Sequence, residues 1–417
     1  MKKKLNYFPL IVLVTLSLLL DYYVFGGVQT LTDNLAPRSF IRLIYWVFSI
    51  FILISFIYLL SRVFPARKFT VLFNISFNSF LTVFVTKLVF AVFLLGEDVY
   101  RLLIAGITFF SENHTGWPGR SAYFSQLAVS ISAVPFISFL FGVTIGKYHY
   151  RVRRTVIYFD DLPEEFENFR IAQISDIHAG SFDNQKAVQR GIDLINAQQP
   201  DLFVFTGDLV NNKATEIVPY LPIFSQVKAP YGKFSVLGNH DYGDYTGWNN
   251  QGEKRLNLDQ LKRYHSEMGY RLLLDEHVQI PRGNARITLL GVENWGKGFG
   301  ERGDLKKALK GVDSSSFKIL LSHDPTHWDE QVKNNPENIH LTFSGHTHGM
   351  QFGIEIGKFK WSPAKYRYSN WAGLAEYKGR YLYVNRGFGF LGFAGRVGIW
   401  PEITIVELKR SKNLVKY

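Results

Sequence analysis

Five short blocks in the second half of the chain carry side chains able to do chemistry. They are Asp176-Ile177-His178, Gly207-Asp208, Gly238-Asn239-His240-Asp241, Ser322-His323-Asp324 and Gly345-His346-Thr347-His348-Gly349. Carboxylate, imidazole and amide groups bind divalent cations. The chain has no cysteine, so any metal here uses His, Asp, Asn and water. One His-x-His or Gly-Asp alone is most simply a polar turn. The set differs because every block follows an apolar run: Ile171 to Ile174, Leu202 to Thr206, Phe234 to Leu237, Ile319 to Leu321 and Ile339 to Phe343. Such runs read as buried strands. Residues just past strand ends collect on one rim of a sheet, where open α/β folds bind ligands. On an extended segment His346 and His348 point in opposite directions, so each can face a different ion. Gly345 and Gly349 permit the sharp backbone course this needs.

The elements that must position these blocks follow from periodicity. Strands are expected near 171–175, 202–206, 233–237, 285–291, 317–321, 339–343, 381–385 and 403–408. Helices are expected near 184–197, 256–268, 302–310 and 326–333. Alternating buried strands and helices argue for an α/β layered core. There is no internal repeat or low-complexity tract.

In their order, Asp-x-His, Gly-Asp, Gly-Asn-His-Asp, His and Gly-His-x-His, the blocks resemble the calcineurin-like metallophosphoesterase superfamily, in particular its bacterial integral-membrane members. The resemblance covers about residues 155–410. It implies two packed mixed β-sheets flanked by helices, in a domain spanning 151–417. It also implies two divalent ions about 3.5–4 Å apart. Asp208 would bridge them, Asp176, His178 and His348 would complete one site, and Asn239, His323 and His346 the other. This ligand set suits Mn, Fe or Zn alike. A hydroxide bridging the ions would attack phosphorus in line, and His240 would protonate or stabilise the leaving oxygen. In relatives with the phosphoprotein phosphatase pattern an Asp three residues after the bridging Asp orients that histidine. Here Asn211 stands in its place, so either Asn211 or Asp241 has to do so. Asn212 stands where those relatives have an arginine, which argues against a protein phosphatase.

The first 150 residues are different. Hydrophobic content is 47% and aromatic content 16%, and the excess lies before residue 147. Spanning hydrocarbon takes about 20 apolar residues. Four stretches qualify, at about 7–27, 40–61, 70–95 and 122–146. An all-α region of four transmembrane helices over 1–150 is therefore expected. Net charge is +12, and no nucleic-acid-binding motif appears, so the bilayer is the expected partner rather than nucleic acid. Lys2, Lys3 and Lys4, then Arg62, Arg67 and Lys68, then Lys147, Arg151, Arg153 and Arg154 fall on one side of the spans. Arg38, Arg101 and Arg120 fall on the other. The bias puts both termini, and the metal domain, on the cytoplasmic side of a plasma (inner) membrane. Between the third and fourth spans, Val99 to Phe110 suits a separate helix along the membrane surface. The Asn113-His114-Thr115 glycosylation match is too short to weigh. Asp21 and Lys87 lie within spans at similar depth and either pair or snorkel outward.

Three weaker signals remain. Residues 147–154 read as a basic-aromatic collar for an anionic leaflet, or simply as a stop signal. Aromatics and arginines between Trp361 and Arg396 read either as a membrane-facing rim that grips a partly apolar anion or as ordinary core. His327, four residues past His323, could meet substrate phosphate, but such a histidine more often caps or packs. His114, His149, His265, His277 and His340 match no motif. The reading is a membrane-anchored phosphohydrolase acting on phosphodiesters or pyrophosphates, with the anchor as sole support for a lipid-linked substrate. The alternatives are a phosphomonoesterase or cyclic-nucleotide phosphodiesterase, and a non-catalytic metal- or phosphate-binding sensor or scaffold.

Overall fold

The apolar stretches before residue 145 form four helices: α1 (Phe8–Thr32), α2 (Arg38–Ala66), α3 (Val71–Phe109) and α4 (Ala122–Thr144). Each is long and apolar enough to cross a membrane. The structure, a computed structural model, describes residues 8–66, 71–109, 116–357 and 359–411. Lys2, Lys3, Lys4, Arg67, Lys68, Phe110, Asn113 and His114 lie outside the described residues. The chain packs as two compact units, 1–143 and 144–417.

The separate surface helix expected after the third span does not form. Instead α3 runs unbroken for 39 residues, about 58 Å at 1.5 Å per residue. No proline interrupts it, and the acidic pair Glu97 and Asp98 within it is bonded in place. Glu97 accepts from the Ser121 amide at 2.5 Å and from Arg120 at 3.1 Å. Asp98 accepts from Tyr23 (2.6 Å), Arg101 (2.7 Å) and Arg120 (2.8 Å). Deeper in the unit, Asp21 and Lys87 do pair. Lys87 Nζ donates to Asp21 Oδ1 and, at 2.7 Å, to Ser49 Oγ. Tyr45 donates to Asp21 Oδ1 at 3.1 Å, so one carboxylate ties α1 to both α2 and α3.

The second unit is built on strands β1 (Arg151–Phe159), β2 (Phe169–Ile174), β3 (Leu202–Thr206), β4 (Lys233–Val236), β5 (Arg271–Leu272), β6 (Glu276–Arg282), β7 (Ala285–Gly291), β8 (Trp295–Gly296) and β9 (Gly300–Glu301). There follow β10 (Lys318–Leu321), β11 (Leu341–Ser344), β12 (Ile354–Ile356), β13 (Phe359–Trp361), β14 (Gly373–Tyr377), β15 (Arg380–Val384) and β16 (Glu402–Arg410). One six-stranded sheet has the order β1-β16-β2-β3-β4-β5, the other β14-β15-β11-β10-β7-β6. Both are mixed: β2, β3 and β4 run parallel while β16 opposes β2, and β7, β10, β11 and β15 run parallel between antiparallel edges. The sheets pack face to face through Ile171, Val204 and Val236 on one side and Leu289, Ile319 and Phe343 on the other. Burial of these wholly enclosed side chains, at about 25 cal/mol per Å² of apolar surface, sets the sheets' relative position.

Helices α5 (Gln185–Asn196), α6 (Leu221–Phe224) and α7 (Gln251–Glu267) cover the outer face of the first sheet. The short α8 (Leu305–Leu309) and the turn Trp328–Val332 cover the second. In α5 the Asn184 side chain caps the Ala187 amide at 3.0 Å, and Val188, Ile192 and Ile195 form the buried stripe. Residues 151–154, within the expected 147–154 collar, are not a free linker. They begin β1, which pairs with β16 from Arg151↔Glu402 onward. Lys147 is folded in as well, paired with Asp183 at 2.5 Å.

Candidate metal centre

Asp176 and His178 follow β2, Asp208 follows β3 and Asn239 follows β4, so the first sheet delivers four of the seven expected ligands. His323 follows β10, while His346 and His348 follow β11, so the second sheet delivers three. Because parallel neighbours end on the same edge, all seven meet where the edges of the two sheets converge. Two clusters result, Asp176/His178/His348 and Asp208/His323/His346, each with ligand atoms within 4.8 Å of one another. Asp208, a member of the second, also faces the first. Its Oδ2 lies 3.5 Å from His178 Nε2 and 3.2 Å from His323 Nε2. Asn239 Oδ1 is 3.2 Å from His323 Nε2 and 3.0 Å from His346 Nδ1.

The backbone is strained where these side chains leave it. Asp176, His178, Asp208, His346 and His348 all have positive φ, between 47° and 69°. Such conformations cost about 1–3 kcal/mol each and persist only where the surroundings enforce them. His346 and His348 are therefore not on an extended segment, as the sequence suggested. Strand β11 has ended, and the left-handed turn rather than strand alternation sends them to different clusters. Gly345 is required by close approach, since a Cβ there would lie 1.9 Å from Ser175 Oγ and 2.3 Å from Asp176 Oδ2.

Main-chain carbonyls set two histidine tautomers. Thr206 O accepts from His323 Nδ1 at 2.7 Å, and Asn211 O accepts from His240 Nδ1 at 2.8 Å. A carbonyl can only accept, so Nδ1 carries a proton in both rings and Nε2 is the nitrogen left to face a metal ion. His178 Nε2 and His348 Nε2 are buried with no hydrogen-bond partner. Orphaned buried nitrogens are costly. Facing the Asp208 and Asp176 carboxylates, these nitrogens suit coordination of a divalent cation. Burial opposes charge throughout, but nearby histidines hold Asp176 and Asp208 well below the usual carboxylate range. Against the same burial, Asp208 pushes His323 up to about 10. Burial takes His346 down to about 4.

Several expectations need correction. The Asn211 side chain does not orient His240; its Oδ1 meets His178 Nδ1 at 3.1 Å, and only its main-chain carbonyl serves His240. Nor does Asp241, whose carboxylate accepts from the amides of Asp208, Leu209, Val210 and Gly238 at 2.8–3.3 Å. It braces the Asp208 loop, and burial raises it to about 7. His327 is buried between Ser322 Oγ (2.8 Å) and Gln331 Oε1 (3.3 Å), which is a packing role. The stretch read as a membrane-facing rim divides: Tyr366 and Arg367 are exposed, while its C-terminal part is core. Arg386, Phe388, Phe390 and Arg396 are 0–3% exposed, with Arg386 paired to Glu402 and Glu355. Arg396 donates to carbonyls of Arg386, Gly387 and Gly389 and lies 3.3 Å from His348 Nδ1.

Residues 6–147 match the family model described as "Probable Calcineurin-like phosphoesterase, transmembrane domain", and residues 169–350 match that of "Calcineurin-like phosphoesterase". An uncharacterized metallophosphoesterase of Aquifex aeolicus is 31% identical over 284 residues, 67% of this chain and 100% of that protein. The chain belongs to the calcineurin-like metallophosphoesterase family. The metallophosphoesterase YkuE of Bacillus subtilis is 28% identical over 60% of this chain and 82% of its own length. A transmembrane protein with metallophosphoesterase domain from Danio rerio is 29% identical over 68% of this chain, a match covering 62% of the fish protein. This chain is thus a metal-dependent phosphoesterase and an integral membrane protein.

Three residues without an expected role also border the candidate centre. Asp324 Oδ2 lies 3.3 Å from His346 Nε2, and Tyr368 Oη lies 3.0 Å from the same nitrogen. Tyr245 Oη accepts from Asn239 Nδ2 at 2.8 Å, and its ring lies 4.4 Å from that of His240. Asp324, next to His323, was within reach of sequence reasoning. The two tyrosines come from loops whose course depends on the fold.

Proposed function

We propose that this protein hydrolyses phosphodiester or phosphoanhydride bonds at a pair of divalent ions, Mn, Fe or Zn. In this reading Asp176, His178 and His348 hold one ion, Asn239, His323 and His346 the other, and Asp208 both. The observation that carries the reading is the Asp208 carboxylate, whose Oδ2 faces His178 Nε2 of one cluster and His323 Nε2 of the other. The ions would supply Lewis acidity and a nucleophile from water at neutral pH. The chain's own residues do the rest. His240, half-buried at the edge of the centre with its Nδ1 proton committed to Asn211 O, turns Nε2 outward. Once protonated, that nitrogen can give its proton to the leaving oxygen. Asp241 keeps the Asp208 loop in place, and the packed walls of the two sheets exclude water from behind the centre.

The catalytic unit is assigned to the cytoplasmic side of the plasma membrane, with the anchor within 1–143 and the catalytic domain from 144, a little before the expected boundary at 150/151. The lysine and arginine bias between the short segments flanking the spans supports this. The test is turnover of p-nitrophenyl phosphate and bis-p-nitrophenyl phosphate by detergent-purified protein with each metal. Metal-dependent cleavage of the diester, lost on chelation and in Asp208→Asn, is expected. Fully metal-loaded protein that releases no p-nitrophenol from either ester would sink the proposal.

A further inference from the structure

The loop between β13 and β14 is fastened to the histidine loop at both ends. Ser362 Oγ donates to Gly349 O at 2.6 Å, and Thr347 Oγ1 donates to Trp371 O at 2.7 Å. Between these anchors Tyr368 is buried against His346, and Arg367 is exposed beside it. The Arg367 guanidinium carbon lies 4.5 Å from the Phe299 ring centre and 5.7 Å from that of Tyr368. Phe299 in turn lies 4.6 Å from the His346 ring. Among the described residues no carboxylate pairs with Arg367. On the His240 side, by contrast, Lys254 and Arg302 are both taken up by Asp244.

An arginine laid on an aromatic ring keeps its planar fork oriented and its outer edge available for a phosphate. A scissile phosphorus has to sit against the ligand cluster itself. Arg367 is one side chain further out, with Tyr368 and Phe299 between it and His346. It therefore reaches what is attached to the scissile group, where a second phosphoryl offers the exposed guanidinium an anionic partner that an uncharged alcohol does not. Resting on the proposed hydrolytic reading, we infer that Arg367 binds a second phosphoryl group, so the substrate class is a diphosphate diester rather than a simple phosphodiester. In the reaction the oxygen of water bonds to the attacked phosphorus and the P–O bond to the bridging oxygen breaks. The bridging oxygen departs with the second phosphoryl group, and one proton of the water ends on each product.

The test uses full-length protein in detergent, UDP-glucose as the diphosphate and bis-p-nitrophenyl phosphate as the simple diester. Arg367→Ala should raise KM for UDP-glucose about tenfold, the loss of one charge-assisted bidentate contact. It should leave kcat within threefold and KM for the simple diester within twofold, and Arg367→Lys should recover part of the loss. In calorimetry, inorganic pyrophosphate should bind Arg367→Ala about tenfold more weakly, with orthophosphate nearly unchanged. An unchanged melting temperature shows that the variant folds. Equal effects on both substrates, or no effect on pyrophosphate binding, would overturn the assignment. Wild-type protein that cleaves the simple diester but not UDP-glucose would also overturn it, while leaving the hydrolytic reading intact. Cleavage of neither would bring down that reading first.

Discussion

The Asp324 carboxylate lies 3.3 Å from Nε2 of His346, on the side of the ring away from Asn239 and His323. The other ring nitrogen, Nδ1, faces those two residues. A carboxylate behind a metal-binding imidazole holds its tautomer and orientation, and such partners are typically worth 10–100-fold in metal affinity or activity. Asp324→Asn should therefore lower both metal content after dialysis, read by mass spectrometry, and turnover of bis-p-nitrophenyl phosphate by about that factor. Full retention of metal with unchanged turnover would show that Tyr368 alone suffices to orient His346.

Metal binding should also stabilise the fold, because the clusters exist only when the two sheets are packed. At one hundred times the dissociation constant a ligand adds about 2.7 kcal/mol. For a domain of this size that corresponds to a rise in Tm of roughly 5–10 °C. Thermal denaturation with and without chelator should show the shift in the wild type and lose most of it in Asp208→Asn. An equal shift in the variant would mean that the metal binds elsewhere.

His240 as proton donor matters most when the leaving group is poor. His240→Ala should cost about 10²–10⁴-fold on an alkyl phosphodiester. The loss should be much smaller on a p-nitrophenyl ester, whose leaving oxygen needs no proton. The measurement is the ratio of kcat for the two esters in wild type and variant. A loss independent of the leaving group would assign His240 to binding instead.

His265 offers a pH effect remote from the metal centre. It is fully buried, with Nδ1 against Ser235 Oγ at 2.9 Å and Nε2 without a partner, and burial takes it down to about 3 from 6.5. Above pH 6.5 it is neutral in folded and unfolded chains alike and contributes no pH dependence. Below 6.5 the unfolded chain takes up a proton that the folded chain refuses until about pH 3. Stability should thus fall as pH drops through that window, by up to about 1.4 kcal/mol per unit. His265→Gln should flatten the slope of urea-unfolding free energy between pH 6 and 4. An identical slope in the variant would rule His265 out as a source of acid sensitivity.

Removing one member of a buried ion pair costs about 3–5 kcal/mol, because the other charge is left uncompensated. Asp21→Ala and Lys87→Ala should each destabilise the membrane unit by that order in detergent unfolding. The double variant should lose clearly less than the sum of the two. Additive losses would mean that the contact carries no coupling.

Much of this protein was determined by sequence alone. Four runs of about 20 apolar residues can only be spans, and strands occur at all eight expected places in the catalytic unit. The reason is that burial imposes local periodicity, and periodicity survives in a linear string. The ligand types were legible for the same reason, since each block trails its own strand. The edge strands β1, β6 and β14 were missed because half-exposed strands carry charges, as Arg151, Arg153 and Arg154 do in β1. Only the tertiary structure decided which groups meet across long sequence separations. It spent the Asp241 carboxylate on four backbone amides, turned the Asn211 side chain toward His178, and buried Arg386 and Arg396. It also brought Asp324, Tyr368 and Arg367 around His346. Those choices depend on loop paths and on which hydrogen-bond donors remain unsatisfied once the sheets close, and neither quantity is local in the chain.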